Sequence, residues 1–237
     1  MLLALLRGNL KEALIVFLLL LPTMLFALSL HETMHGLVAL KLGDPTARNM
    51  GRLTLNPRKH IDPIGFLVLM LVGFGWAKPV PVNARNFKNP KWGMALVALA
   101  GPLSNFLLGA INAAIYGVLL AFYSYNAAVI GLSGFRLELL GWSTTFFFYA
   151  AVLNFIYSIF NMIPIPPYDG SRVLYVFLPP KAYFAVMKYE RYILYGLLAV
   201  LILCNYVFGF SPFSWIAENL TDLIANPIAN GIFNTLI

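Results

Sequence analysis

The sequence predicts an all-α polytopic membrane protein of about four transmembrane helices, with a re-entrant or interfacial segment that carries a small β-hairpin or sheet. Three observations carry this reading. Of 237 residues, 60% are hydrophobic and 11% charged; a soluble domain carries about 25% charged residues, so no water-facing surface can be built from this composition. Mean hydropathy is +0.80. The apolar residues gather in long runs separated by stretches rich in Arg, Asn and Pro, the pattern of spans and loops. Residues 1–237 read as one membrane-embedded domain, with a core over about 13–178 and a C-terminal span and tail over about 191–237, since each crossing takes about 20 residues.

Taken in order, the chain opens on an apolar stretch whose first cations are Arg7 and Lys11. That is the reverse of a secretory signal, and residues 1–11 read as a short interfacial segment. The first span, 13–42, exceeds what a bilayer needs, so it tilts, kinks near Pro22 or projects. The stretch Ile61 to Ala77 (IDPIGFLVLMLVGFGWA) has 17 residues, begins with Asp62 and Pro63 and carries three glycines, which suits a re-entrant or interfacial element. Lys78 to Asn83 (KPVPVN) alternates prolines with valines and favours extended backbone. A long span follows from Met94 to Tyr123, lined with small residues that let helices approach. A third runs from Ser143 to Ile163 and is stopped by Pro164, Pro166 and Pro167. A fourth runs from Tyr192 to Phe210. The tail from Ser211, interrupted by Pro212, Pro227 and Gly231, reads as a surface-lying amphipathic segment. The single cysteine, Cys204, excludes an intramolecular disulfide and a cysteine-based metal site; it reads as a small buried apolar side chain.

Ionisable groups inside apolar runs are the candidates for chemistry, because each costs about 2.5–3.5 kcal/mol at a helix centre. His31, Glu32 and His35 form HETMH, a match to H-E-x-x-H. On a helix the two histidines lie about 40° apart around the axis and about 6 Å along it, so both imidazoles face one cation, with Glu32 beside them. Helix-interface histidines are the plain alternative, but that reading must also accommodate a carboxylate in lipid. A hydrolytic zinc site takes three protein ligands and an open position. Among few candidates for the third, Asp169 stands out at the end of Asn161-Met-Ile-Pro-Ile-Pro-Pro-Tyr-Asp169-Gly170. A rigid non-helical stretch is tolerated at membrane depth where it lines protein or water; a turn residue before Gly170 is the alternative.

HExxH in a membrane helix with NxxPxPPxDG downstream resembles the site-2 protease family of intramembrane metalloproteases, in its compact form without PDZ or CBS domains. Supporting matches are GRLTLNP (Gly51 to Pro57), HIDPIG (His60 to Gly65), GWAKPVPVN (Gly75 to Asn83) and AGPLSN (Ala100 to Asn105). The resemblance implies one Zn2+ per chain held by His31, His35 and Asp169, Glu32 as general base, and Asn161 as the polar group near the scissile carbonyl. It implies intramembrane hydrolysis of a transmembrane protein substrate. Tyr168 departs from the family, where leucine is more usual. A metal-binding membrane transporter and a non-catalytic membrane-protein scaffold remain the alternative readings.

Other polar positions have plainer roles. Asn105 and Asn154 suit hydrogen bonds across helices. His60 suits a loop cap or interface, with substrate or water contact as the sharper reading. Arg48, Arg52, Arg58 and Lys59 suit anionic lipid headgroups; nucleic acid is disfavoured because no aromatic stacking pattern accompanies them. GRLTLNP and AKPVPVN suit either a sheet whose edge pairs with unwound substrate or a structural hairpin. With four spans, 13 of the 16 Lys and Arg fall on one side, which the positive-inside rule makes cytoplasmic. The expectation is a multi-pass plasma-membrane protein with its active site towards the cytoplasm, and a 61–77 stretch that does not cross.

Overall fold

The computed structural model describes residues 10–66, 77–131, 133–179, 182, 185, 188–207 and 211–236, with side chains of the first helix from Phe17 onward and of the 190–207 helix in part. The described residues are helical, with no named strand. Helix α1 (Leu10–Lys41) passes Pro22 without a break. It ends where Gly43 takes φ +105° and the Asp44 N–H returns to the Ala39 carbonyl, a left-handed glycine stop. A short α2 (Thr46–Asn49) and two 3-10 turns (Pro57–Lys59 and Ala84–Asn86) follow. Helix α3 (Pro90–Ala128) starts on a proline, the residue whose missing N–H costs least there, and the Asn89 carboxamide oxygen accepts from the Trp92 N–H. Helix α4 (Phe135–Asn161) begins eight residues before the predicted span: Arg136 and Glu138 keep its first turns out of an apolar run but do not prevent helix. Then come α5 (Asp169–Leu174), α6 (Glu190–Val207) and α7 (Pro212–Leu236).

Three helices among the described residues are long and apolar enough to cross a membrane: Phe17–Lys41 of α1, α3 and α4. The sequence predicts four, and the fourth is not supported. Helix α6 has 18 residues opening on Glu190 and Arg191, about 27 Å against a hydrocarbon core of about 30 Å. Lipid-facing character is plain on α3, where Leu96, Leu99, Leu103, Phe106, Leu107 and Ile111 are exposed at helical spacing.

The chain divides into two compact units, one comprising residues up to Ser104 with Asn161–Leu198, the other Asn105–Phe160 with Ala199–Ile237. In the first, Ala39, Phe87 and Val97 form a core completed by Val38, Leu42 and Val82. In the second, Ala113, Ala151, Val152, Phe155 and Ala217 pack together. Asn154 is fully buried there, but its amide donates to the Ala150 carbonyl of its own helix rather than across helices. Asn105 is likewise fully buried, and Cys204 is half-buried.

The predicted β-hairpin does not form among the described residues; one isolated antiparallel bridge, Ile61 with Ala77, is present. The reason is that side chains have taken the backbone groups a ladder needs. The Thr54 carbonyl accepts from Thr33 Oγ1 at 2.7 Å and bonds His60 Nε2 at 2.7 Å. Arg52 donates to the Lys78 carbonyl at 2.7 Å, so Arg52 is buried while Arg48, Arg58 and Lys59 stay exposed. His60, 1% exposed, caps the loop and its carbonyl accepts from the Lys78 N–H. Pro79 and Pro81 have no N–H to offer.

The 61–77 stretch has residues 67–76 outside the described set, as are 1–9 of the expected N-terminal segment. Its ends, however, pair side by side, so both flanks belong on one side of a membrane. Single cysteines at Lys59 and Lys88, both exposed, in a Cys204→Ala background are expected to react with a membrane-impermeant maleimide from the same side. Reaction from opposite sides contradicts this topology.

Candidate metal centre

The metal-binding geometry starts from the helical spacing of α1. His31 and His35, one turn apart, turn their rings toward each other edge-on, with centroids 4.6 Å apart. The third group arrives from the proline-rich loop after α4, where Pro166 is fully buried and the Tyr168 carbonyl accepts from the Ser171 N–H and Oγ. This fixes Asp169 at the first position of α5. Its Oδ2 lies 3.0 Å from His31 Nε2 and 3.3 Å from His35 Nε2. One ligand atom from each of the three residues falls within 4.8 Å of the others, the spacing at which a single ion can be shared.

The donor set fits a cation. His35 Nδ1 lies 2.6 Å from the Val97 carbonyl oxygen, which can only accept, so the proton sits on Nδ1. Nε2 then directs its lone pair at a carboxylate oxygen, an arrangement of two acceptors that a cation between them resolves. Space for the cation comes from α3: a Cβ on Gly101 would lie 2.5 Å from His35 Nε2 and 2.6 Å from His31 Nε2. Tyr168 is buried, and its phenol is pushed up to about 12 by burial, so it stays neutral beside Asp169.

Glu32 sits on the same turn of α1, and its Oε2 accepts from the Val80 N–H at 2.8 Å. The extended segment 77–83 that supplies this N–H is anchored at both ends. Arg52 and His60 hold Lys78, as described above. At the other end Asp44, fully buried, accepts from the Asn83 N–H at 2.7 Å, the Asn86 amide at 2.6 Å, and the N–H and hydroxyl of Thr46. Burial raises the Asp44 carboxyl, but the bonds from Thr46, Asn83 and Asn86 prevail and lower it.

The structure therefore brings His31, His35 and Asp169 together and places Glu32 beside them. Asn161 closes α4 at the head of the loop that ends in Asp169. Val97, Gly101, Val80 and Asp44 are supporting residues that sequence reasoning missed. The signals were Gly101 within AGPLSN and Val80 within GWAKPVPVN; Val97 and Asp44 lie in none of the motifs.

The chain is similar to several curated proteins. "Putative zinc metalloprotease YwhC" of Bacillus subtilis is 38% identical over 170 residues, covering 72% of this chain and 74% of that protein. "Putative zinc metalloprotease Rip2" of Mycolicibacterium smegmatis is 28% identical over 193 residues, 79% of this chain and 67% of its own. "Putative zinc metalloprotease MJ0611" of Methanocaldococcus jannaschii is 31% identical over 148 residues, 61% and 62% respectively. Neither a family model nor a solved structure matches.

Two outcomes follow from the geometry. Gly101→Ala puts a methyl group where the ion belongs, so metal affinity is expected to fall by about 10–100-fold, read as bound metal per chain by elemental analysis, with helical content unchanged. Asp44→Ala strands buried donors and is expected to cost about 3 kcal/mol. Because the folded Asp44 carboxyl lies below its unfolded value of about 3.9, its contribution is complete above that value and is lost as pH falls through the lowered one. The difference in melting temperature between wild type and Asp44→Asn is accordingly expected to be largest near neutrality and to shrink below about pH 4.

Proposed function

The chain belongs to the site-2 protease family, and from that premise we propose that it is a zinc endopeptidase hydrolysing peptide bonds in or near transmembrane segments of membrane-protein substrates. The observation that carries the reading is the convergence of His31, His35 and Asp169 with Glu32 on the adjoining position of the same helix. A metal transporter or an idle scaffold has no use for a carboxylate held beside the ligands by a dedicated backbone N–H.

In this reading His31, His35 and Asp169 hold the ion. When bound, zinc supplies Lewis-acid polarisation of the scissile carbonyl and activation of a water molecule. Glu32 accepts the proton of the attacking water. Its Oε2 is occupied by the Val80 N–H, which leaves Oε1 for that proton and orients it. Glu32 then returns the proton to the leaving nitrogen, so the reaction closes without a covalent acyl-enzyme. Asn161 donates its amide to the developing oxyanion. A substrate helix must unwind before its peptide bond is reachable, because intrahelical hydrogen bonds shield it. The cationic loops on residues 41–93 favour placing this site towards the cytoplasmic side.

Co-expression with a panel of single-span membrane proteins tests the proposal. Glu32→Gln keeps size and metal ligands but removes the proton acceptor, so cleavage is expected to fall by about 10²–10⁴-fold with zinc retained. Asp169→Asn is expected to lose zinc and activity together. Cleavage by Glu32→Gln at near wild-type rate, or full zinc content in Asp169→Asn, contradicts the assignment.

A further inference from the structure

His60 opens the HIDPIG stretch and takes no part in the metal centre, yet it is sealed from solvent. Its Nε2 lies 2.7 Å from the Thr54 carbonyl oxygen, which can only accept, so the proton sits on Nε2. Nδ1 is buried with no hydrogen-bond partner among the described residues. The ring therefore works through a single N–H at the ε position. That N–H is one link of a circuit of hydrogen bonds that leaves α1 at one residue and returns at its neighbour. The Thr33 hydroxyl donates to the Thr54 carbonyl at 2.7 Å, the same oxygen that His60 holds. The His60 carbonyl accepts from the Lys78 N–H at 2.7 Å. Two residues on, the Val80 N–H donates to Glu32 Oε2 at 2.8 Å.

The circuit has little slack. Gly36, one turn beyond Glu32 on α1, lets Val80 lie close: a Cβ there would come 3.1 Å from Val80 Cγ1. Pro79 and Pro81 restrict φ on both sides of Val80, so little of a displacement at Lys78 is absorbed before Val80. Arg52 holds the Lys78 carbonyl, but it is His60 that ties the Lys78 N–H back to the Thr54 carbonyl and so to Thr33. Direct contact with a substrate demands a ring that a visiting chain can reach, and this ring is buried. Direct ligation of an ion demands a histidine within the cluster of donors, and among the described residues that cluster is His31, His35 and Asp169.

We propose that His60 is a positioning residue for Glu32, a role that rests on Glu32 being the base of the peptidase proposed above. Its Nε2–H, acting through Thr54, Lys78 and Val80, holds Glu32 Oε2 so that Oε1 meets the attacking water. The full-length protein in detergent micelles is compared with His60→Leu, His60→Asn and His60→Gln. The last keeps an N–H at the ε position, the second moves it to the δ position, and the first has none. Hydrogen exchange is read over 78–83, where Pro79 and Pro81 carry no N–H and the signal comes from Lys78, Val80, Val82 and Asn83. It is expected to quicken about tenfold in His60→Leu and His60→Asn, as the loss of one buried hydrogen bond dictates, and to stay at the wild-type rate in His60→Gln. Against a single-span membrane protein, kcat is expected to fall about 10²-fold in the first two, the cost of a misplaced base. KM and zinc per chain stay unchanged, and His60→Gln restores kcat. Glu32→Ala is expected to quicken the same exchange, and His60→Leu/Glu32→Ala to go no further than the faster single variant, because both break one circuit. Wild-type exchange in His60→Leu, additive exchange in the double variant, or a His60→Gln as impaired as His60→Leu overturns the proposal. So does a rise in KM with kcat kept, which makes His60 a substrate contact, or a loss of zinc, which makes its role structural. A wild type that cleaves no membrane protein defeats the peptidase reading instead, and the exchange measurements still decide whether His60 holds Glu32.

Discussion

Two imidazole nitrogens and a carboxylate oxygen crowd around one point inside an apolar protein, and that arrangement is stable only with positive charge among them. Most of what surrounds it serves this constraint. The Val97 carbonyl dictates which nitrogen of His35 is available, Gly101 keeps α3 from filling the space, and the rigid proline loop delivers Asp169 at the first position of α5. The metal site is thus assembled from one turn of α1, one carbonyl and one absent side chain of α3, and one loop.

Non-helical backbone beside lipid must find its hydrogen-bond partners within the protein, and here it finds them on side chains. Thr33, Arg52, His60, Glu32 and Asp44 each bond a backbone group of the loops on either side of 61–77. A sheet would satisfy the same groups more regularly, but it would not tie the loops to α1. Side-chain bonding does so at Thr33 and Glu32, both within or beside HETMH, so the packing of the loops and the geometry of the site are one structure.

What was legible in the sequence follows from this. His31, Glu32, His35 and Asp169 were readable because a charged residue in an apolar run is costly and its spacing is fixed by the helix. The spans α1, α3 and α4 were readable from apolar length alone. Val97 and Val80 were not, because they act through backbone atoms that any residue supplies, and Gly101 acts by lacking a side chain. The valines of KPVPVN correctly indicated extended backbone; its prolines, together with competing side chains, decided against a ladder. The breaks that Pro227 and Gly231 predict in the tail do not appear: α7 runs through both, and burial of Ala217, Thr221, Ala225 and Ala229 along it offsets the local cost of a proline in a helix.

The extended segment at Lys78–Asn83 has a directional polarity set by its own bonding. Of its six backbone nitrogens, those of Pro79 and Pro81 carry no hydrogen, and those of Lys78, Val80 and Asn83 are committed to His60, Glu32 and Asp44. Val82 alone is left as a donor, so the segment is an edge of acceptors. A visiting strand would have to bring the N–H groups itself, and a proline-rich peptide, poor in them, would find almost nothing there to grip.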